Sequence, residues 1–559
     1  MRLSELPADQ PELADLRGAA TALITDFDAA PDADAKVSVM RRWDAWKAEY
    51  EAAMFLASIR FSQDTTDASR KALKQHFDRV DPDVKELDTK LLRRVVESPE
   101  RALLEERLGS QALALWRCTL DSFDPAIADE LRAESDLVNR YDELRASLRV
   151  DFRGESHGLS SMRGFYGDAD RSTRHAARKA QNQLLSGAVD ELDSLFAELV
   201  AVRHRMARKL GEATYTPLGY RMLGRTDYDG GDVAAFRGAI EARIVPLCTA
   251  IRARHAEQLG LDDYAFHDTS VSDTLGVPRP NGDHDWMLAQ ATTMFERMGA
   301  DFSAFFEQMK AGELLDLKVR DGKMGGGYCE ALIHYGLPFI FANFNGTQDD
   351  VNVFTHECGH AFQCWTTMQR NVLRDYVWPT YEACEIHSMG LEMLTYPHME
   401  LFFGDDAERF RRGHVEGGLL FLPYGAAVDA FQHEVYDDPT QTPDQRNATW
   451  SDLESRLLPE WRYDGLPHFE SGRFWQRQGH LYSNPFYYID YCLAQTCAFQ
   501  LWRNSRRDHA GTMSQYRHLC RLGGELPFRA LVAEVGLKDP FDPDTLAEVA
   551  DDLAEQLDL

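Results

Sequence analysis

The sequence predicts a mainly α-helical protein with one small β-sheet beside a helix that carries two histidines. Three observations point there. Apolar residues recur at three- and four-residue spacing within charged stretches, as in Leu192, Leu195, Phe196, Leu199 and Val200. Strand-like alternation is almost absent, and the clearest strand is the apolar and aromatic run Leu337–Asn345, LPFIFANFN. The stretch Phe354–Cys364, FTHECGHAFQC, sets His356 and His360 four apart, on one face of a helix.

Length and composition bound the possibilities. A chain of 559 residues is long enough for two or more domains. We divide it into a helical N-terminal region, 1–200, and a second region, 201–559. The formal net charge of −30 repels nucleic acid and anionic lipid, so neither is expected as a partner. No apolar run follows Met1–Gln10 and none reaches the length of a membrane span, so neither a secretory leader nor a membrane anchor is expected. Nine cysteines, an odd number without CxxC pairs, read as reduced thiols of a cytoplasmic protein. Cys358 and Cys364, on the histidine helix, read as small core filler.

The elements follow in order. Helical pattern runs from about Pro11 to Leu210, through Ala45–Ile59, Leu91–Arg107, Ala112–Phe123 and Asp190–Lys209. A break at Gly211–Gly231 precedes a helix over Asp232–Leu259, a loop at Gly276–Asp285 and a helix over Asp285–Lys310. Val319–Tyr328, VRDGKMGGGY, is a glycine cluster that leads into the strand. An open strand edge near Phe339–Asn343 would hold an extended peptide through its backbone, whatever its sequence. Gly326, Phe339 and Ala342 are the expected contacts to it, with the glycines allowing close approach. Later come a helix over Gly418–Tyr436 and an aromatic segment, Gly472–Trp502.

The chemistry centres on His356-Glu357-x-x-His360. Two imidazoles on one helix face can bind a single Zn²⁺, and Glu357 stands at the general-base position of a metallopeptidase. A third ligand is needed. Position 366, where some HExxH proteins carry another histidine, is Thr366. A carboxylate on a second helix is the usual choice, and Glu382, Glu385, His387 and Glu392 in Tyr381–Tyr396 are all candidates. If Glu385 binds the metal, Glu392, seven residues on, shares its face and can accept a hydrogen bond from a ligand histidine. In the aromatic segment, Tyr488 and Tyr491 lie three apart and, with His480, can donate to an oxyanion, whereas Tyr487 reads as a core residue.

HECGHAFQ, Glu385-x-x-Ser388 with Glu392 beyond it, His480 and the YYIDY segment occur in that order. Together they resemble the thimet oligopeptidase and oligoendopeptidase F family of zinc metallopeptidases, and NFNGTQDDVNVFTHECGHAFQ and GHLYSNPFYYIDYCLAQ are most similar to its bacterial Pz-peptidase-like branch. The resemblance covers roughly Val200 to the C-terminus. It implies two largely helical halves around a substrate channel, with 201–559 as the zinc-peptidase domain. It also implies one Zn²⁺ per chain on His356, His360 and Glu385, with Glu357 as base. His480 and the later tyrosines would stand at the substrate, short unstructured peptides cut at internal bonds. One departure is Asn484, four before Tyr488, where the thimet branch has a tyrosine; Tyr482 is the substitute expected to touch substrate. Two other readings stay open. A carboxypeptidase or peptidyl-dipeptidase would need a cation such as Arg473 or Arg477 to grip a C-terminal carboxylate, and a catalytically dead peptide-binding protein would need no turnover at all.

Overall fold

The computed structural model describes residues 1–7, 9–159 and 161–559. Helices α1 (Leu13–Ala29), α2 (Ala33–Gln63), α3 (Ala68–Val96), α4 (Arg101–Leu108), α5 (Ser110–Asp121) and α6 (Ala128–Ser147) form the N-terminal part. Aspartates start several of them: Asp32 accepts from Ala35 N ahead of α2, and Asp67 from Ser69 N and Arg70 N ahead of α3. The helix expected over Leu91–Arg107 is broken between α3 and α4, where Pro99 lacks a donor and disfavours helix at the residue before it. The hairpin β1 (Val150–Phe152) and β2 (Glu155–His157) was not expected; Arg153 and Gly154 make its turn with positive φ.

Next come α7 (Arg171–Gly187), α8 (Val189–Lys209) and α9 (Thr216–Met222). The two long helices expected after them are each divided. Pro246 separates α10 (Gly230–Arg243) from α11 (Val245–Leu259), and Gly299, at φ 137°, separates α12 (His284–Met298) from α13 (Ala300–Ala311).

The sheet positions the histidine helix. It comprises β3 (Leu315–Lys318), β4 (Tyr328–Leu332) and β5 (Leu337–Phe344), in the order β3-β5-β4. β5 is therefore the central strand, parallel to β3 and antiparallel to β4. This corrects the open edge expected near Phe339–Asn343: both edges of β5 are paired, and Phe339 and Ala342 are fully buried in the core. They do not line a peptide site. From β5 the chain turns into α14 (Gln348–Met368), and Asp350 clamps the turn by accepting from Asn345 N at 3.0 Å and Gly346 N at 2.7 Å.

The rest of the scaffold is α15 (Tyr381–Leu394), α16 (Glu400–Phe403), α17 (Ala407–Asp437), α18 (Pro443–Leu457), α19 (Gly479–Ser483), α20 (Tyr488–Arg507), α21 (His509–Leu522), α22 (Phe528–Glu534) and α23 (Pro543–Leu557). Gly359 sits where α14 meets α15. A Cβ there would overlap His387 O and lie 2.6 Å from Ser388 Cα, so only glycine lets the two backbones come this close. The N-terminal helices grip the segment joining α14 to α15. Arg374 pairs with Glu51 at 3.0 Å and donates its backbone N–H to Asp44 at 2.8 Å. Trp116 donates to Asp375 at 2.7 Å, and Tyr376 donates to Leu108 O at 2.8 Å.

Candidate active site

Two helices build the centre. α14 presents His356 and His360 with ring centroids 4.9 Å apart, and α15 brings Glu385 up to them. His356 Nε2 lies 3.2 Å and His360 Nε2 3.5 Å from the same oxygen, Glu385 Oε2. One ligand atom from each residue falls within 4.8 Å of the others. The spacing of the sequence left four candidates for the third ligand, and of these the fold brings Glu385 to both histidines. His387 is fully buried with Nδ1 on Ala383 O, Glu382 is buried among other groups, and Glu392 contacts the back of His356.

The three donors fit a divalent cation. Without a proton or a cation between them, the lone pairs of two imidazoles and a carboxylate would face one another. The protein alone answers with a proton. Burial pulls the His356 pKa down, but hydrogen bonds to Glu385 and Glu392 outweigh it and hold the pKa well above the usual histidine range. Burial likewise pushes Glu385 up, and the two histidines hold it well below the usual carboxylate range. A cation bound by all three would replace that proton. Two imidazoles and one carboxylate suit zinc.

The supporting contacts run behind the donors. His356 Nδ1 and Glu392 Oε1 are 2.7 Å apart, as expected for the face-sharing residue, and this turns Nε2 toward Glu385. Glu392 Oε2 continues to His414 Nε2 at 2.7 Å, and Tyr396 OH meets His414 Nδ1 at 2.6 Å. Ser388 Oγ donates to Glu385 Oε2 at 2.8 Å. Glu357, 8% exposed, has a pKa raised by burial and drawn down in part by His356 and His360. The glycine loop passes beside it: a Cβ on Gly327 would lie 3.7 Å from Glu357 Oε1. The neighbouring Gly326 is exposed, at φ 95°.

The aromatic segment needs two corrections. Tyr487, expected in the core, donates its hydroxyl to Glu385 Oε1 at 2.6 Å, so it holds the oxygen that the histidines leave. Tyr482, expected at the substrate, is fully buried and stacked on Tyr141 at 4.0 Å, with its hydroxyl toward Leu192 O. The segment is not one helix. It bends through short turns from Phe469 to Arg477, and α20 begins only at Tyr488. Tyr487 therefore leads the helix, and its direction could not be counted from helical spacing. Tyr491 lies beside Tyr487 at 5.0 Å between rings; burial raises its pKa and the charge of Glu385 raises it further, so it stays a donor. Tyr488 packs on Phe421 and Tyr424.

His480 faces all three tyrosines, with ring centroids 5.1–6.1 Å away. Burial lowers its pKa to about 4, so the ring is neutral. Gln478 Nε2 lies 2.6 Å from His480 Nδ1, and Tyr424 OH donates to Gln478 Oε1 at 2.9 Å. That chain makes Nδ1 the acceptor and leaves the His480 proton on Nε2. Sequence reasoning missed Gln478, two residues before His480 at the start of α19, and Tyr424 and His414 on α17, none of which carries a spacing signal.

The fold and site define a helical HExxH protein whose third donor is a glutamate on the following helix. The chain belongs to peptidase family M3. The Peptidase M3 N-terminal domain matches residues 3–123, and Peptidase family M3 matches residues 166–551. Among solved structures it is similar to PZ peptidase A with an inhibitor, at 38% identity and TM-score 0.95, covering 100% of this chain and 99% of that one. A Bacillus anthracis (strain Ames) protein provisionally assigned as oligoendopeptidase F is 36% identical, with TM-score 0.90, covering 100% and 98%. The Mycoplasma pneumoniae oligoendopeptidase F homolog is 19% identical over 455 residues, 74% of this chain and 71% of that protein. The family resemblance read from the motifs is borne out and extends into the N-terminal helices.

Proposed function

We propose that this peptidase is a zinc-dependent oligoendopeptidase that hydrolyses internal bonds of short, unstructured peptides. The observation that carries the reading is the convergence of His356 and His360 on one oxygen of Glu385, with Glu357 buried beside them. Bound zinc supplies Lewis acidity, which acidifies water and polarises a carbonyl. The side chains supply the rest. Glu357 takes a proton from the attacking water and returns it to the leaving amine, a task favoured by its raised pKa. Tyr491 and His480 Nε2–H donate to the oxyanion. Tyr487 holds Glu385 in place.

A cleft of about 500 Å³ lies between the two parts of the chain, lined by Gln111, Leu115, Arg221, Trp378 and Tyr381. Two of its lining residues also touch the site from the other side: Trp378 is 6.2 Å from His360 and Tyr381 4.9 Å from Tyr487, between ring centroids. The limit to short, extended peptides is carried by the likeness to the oligoendopeptidase F and PZ peptidase structures. The strand edge left for backbone capture is the outer edge of β4, beside Gly327. Of the two candidate carboxylate grips, Arg473 donates to Ser471 and Arg477 lies over Phe474 and Tyr424; peptides with free and with blocked C-termini decide between terminal and internal cleavage. The charge of −30 supports neither nucleic acid nor an anionic membrane as partner, and nine free cysteines fit a cytoplasmic setting.

The test is metal analysis and kinetics on one variant. Purified protein should hold one zinc at this centre, and chelation should abolish hydrolysis. Glu357→Gln should keep the zinc and lose turnover, because it removes the base and no ligand. An active Glu357→Gln enzyme would sink the assignment. A peptide with blocked ends should be cut internally, and a folded protein should survive.

A further inference from the structure

In a chain of net charge −30, one buried guanidinium meets no carboxylate among the described residues. Arg178, on α7, is 6% exposed. Its hydrogen bonds go to neutral oxygens: Nη1 donates to Gln181 Oε1 at 3.0 Å and Nη2 to Ser270 Oγ at 3.1 Å. Its Nε–H is buried without a partner among the described residues. Aromatic rings cover the group, with Cζ 3.7 Å from the Tyr166 ring centroid and 4.6 Å from that of Phe266. Such rings attract a cation but do not neutralise it. The hydroxyl of Tyr166, itself 8% exposed, is also buried without a hydrogen bond among the described residues.

The neighbours add charge of the same sign. Arg477 lies 4.6 Å from the ring of Phe474, and the rings of Phe474 and Phe266 are 5.1 Å apart, so two guanidiniums share one aromatic cluster. Arg163, in the turn Ser161–Phe165, acts on Arg178 as well. Burial, with Arg477 and Arg163 beside it, pushes the Arg178 pKa down to about 9, so the group is still charged at neutral pH. Burying an uncompensated charge costs far more than burying an unpaired polar group. A water molecule can accept the idle N–H, but it brings no charge. A carboxylate would bring it, and the fold places none there among the described residues.

We propose that Arg178 and Tyr166 form a site for one small monovalent anion of the halide type, held by Arg178 Nε–H and the Tyr166 hydroxyl. Both are donors without an acceptor, on one stacked pair of side chains. The rings take the faces of the guanidinium and leave an anion its in-plane N–H edge, where charge-assisted hydrogen bonds are strongest. The enclosure favours a single-atom ion over a phosphate or a substrate carboxylate, because Arg178 and Tyr166 are both buried. The ion would supply the counter-charge that lets α7 pack on the aromatic cluster. It would also lie one layer behind the catalytic groups, since Arg477 covers Tyr424, and Tyr424 holds Gln478 against His480.

The probe is chloride, exchanged for gluconate at constant pH and ionic strength so that screening stays the same. The wild-type melting temperature should rise by about 1–3 °C as chloride replaces gluconate, climbing with the logarithm of chloride above its Kd. Tyr166→Phe keeps the ring over the guanidinium and removes one donor, so about tenfold more chloride should be needed for the same rise. Arg178→Gln should remove the chloride-specific rise altogether. In crystals soaked in bromide, an anomalous-scattering peak should stand beside Arg178 Nε. Circular dichroism confirms that each variant folds; if Arg178→Gln does not, the wild-type and Tyr166→Phe titrations and the bromide soak decide. Equal melting in chloride and gluconate would overturn the proposal. So would a rise that both variants keep in full, or a bromide soak that leaves no peak at Arg178.

Discussion

Tyr487 shows how one hydroxyl changes the reading of a site. Its bond to Glu385 Oε1 leaves Oε2 free for the two histidines and Ser388. Tyr487→Phe should weaken zinc retention about tenfold, the usual cost of losing a partner behind a ligand. Competition with a chelator measures it, and retention equal to wild type would show that the bond orients nothing. Tyr491→Phe should instead leave zinc in place and lower kcat by about 10²–10³-fold, as for one oxyanion donor. Tyr488→Phe should be milder, since that ring packs on Phe421 and Tyr424. At this scale the sequence disclosed the donors that share a helix. His356, Glu357 and His360 follow from a four-residue spacing, whereas spacing left Glu382, Glu385, His387 and Glu392 open as the third ligand and only the family resemblance pointed to Glu385. Tyr487 stayed hidden because it precedes its helix, where spacing no longer sets direction. Tyr482 misled because an aromatic near a site and an aromatic in a core have the same composition.

Helix α14 and its neighbours show what spacing cannot say about contact. The motif predicts one helix, but the catalytic centre needs a second backbone close enough for Glu385 to reach the histidines, and Gly359 provides that. Gly359→Ala should cost about 1–3 kcal/mol or more in stability through overpacking, and loosen the zinc. Gly413, in α17 with no atom within 4 Å of an added Cβ, is the control, and Gly413→Ala should be neutral or slightly stabilising. Thermal melts with and without zinc compare the two. A silent Gly359→Ala would mean the helices can part without harm. The helix limits at Pro99, around Pro246 and at Gly299 went unread, although each of these residues is a signal that could have marked them. The place of β5 in its sheet had no such signal, because β3 and β4 are four and five residues long and carry little alternation of their own.

Across the whole molecule, mainly helical character was legible and the electrostatics of its interior were not. Glu454 is an example. Burial raises its pKa to about 7, against which Tyr463 and Trp450 donate hydrogen bonds. An unfolded glutamate titrates near 4.3. The folded state therefore holds its proton more tightly, and the stability this gives is present below about pH 4 and lost as pH rises through about 7. Glu454→Gln keeps the neutral form at every pH. Its melting temperature should fall less than wild type between pH 5.5 and 8.5, by an amount worth on the order of 1–3 kcal/mol. Parallel pH curves for the two proteins would show that Glu454 ionises freely.

The grip of the N-terminal helices on residues 374–376 bears on how such proteins can be recombined. Asp44, Glu51, Leu108 and Trp116 belong to one matched segment, and Arg374, Asp375 and Tyr376 to the other. A chimera that took its first helices from one relative and its remainder from another would have to inherit these partners as a set. Exchanging one side alone would strand the Arg374 guanidinium away from water, at the linker that spaces the histidines from Glu385. Lineages of this architecture should therefore diverge along both halves together, and a crossover placed between them should yield hybrids that fold poorly unless the parents agree at those positions.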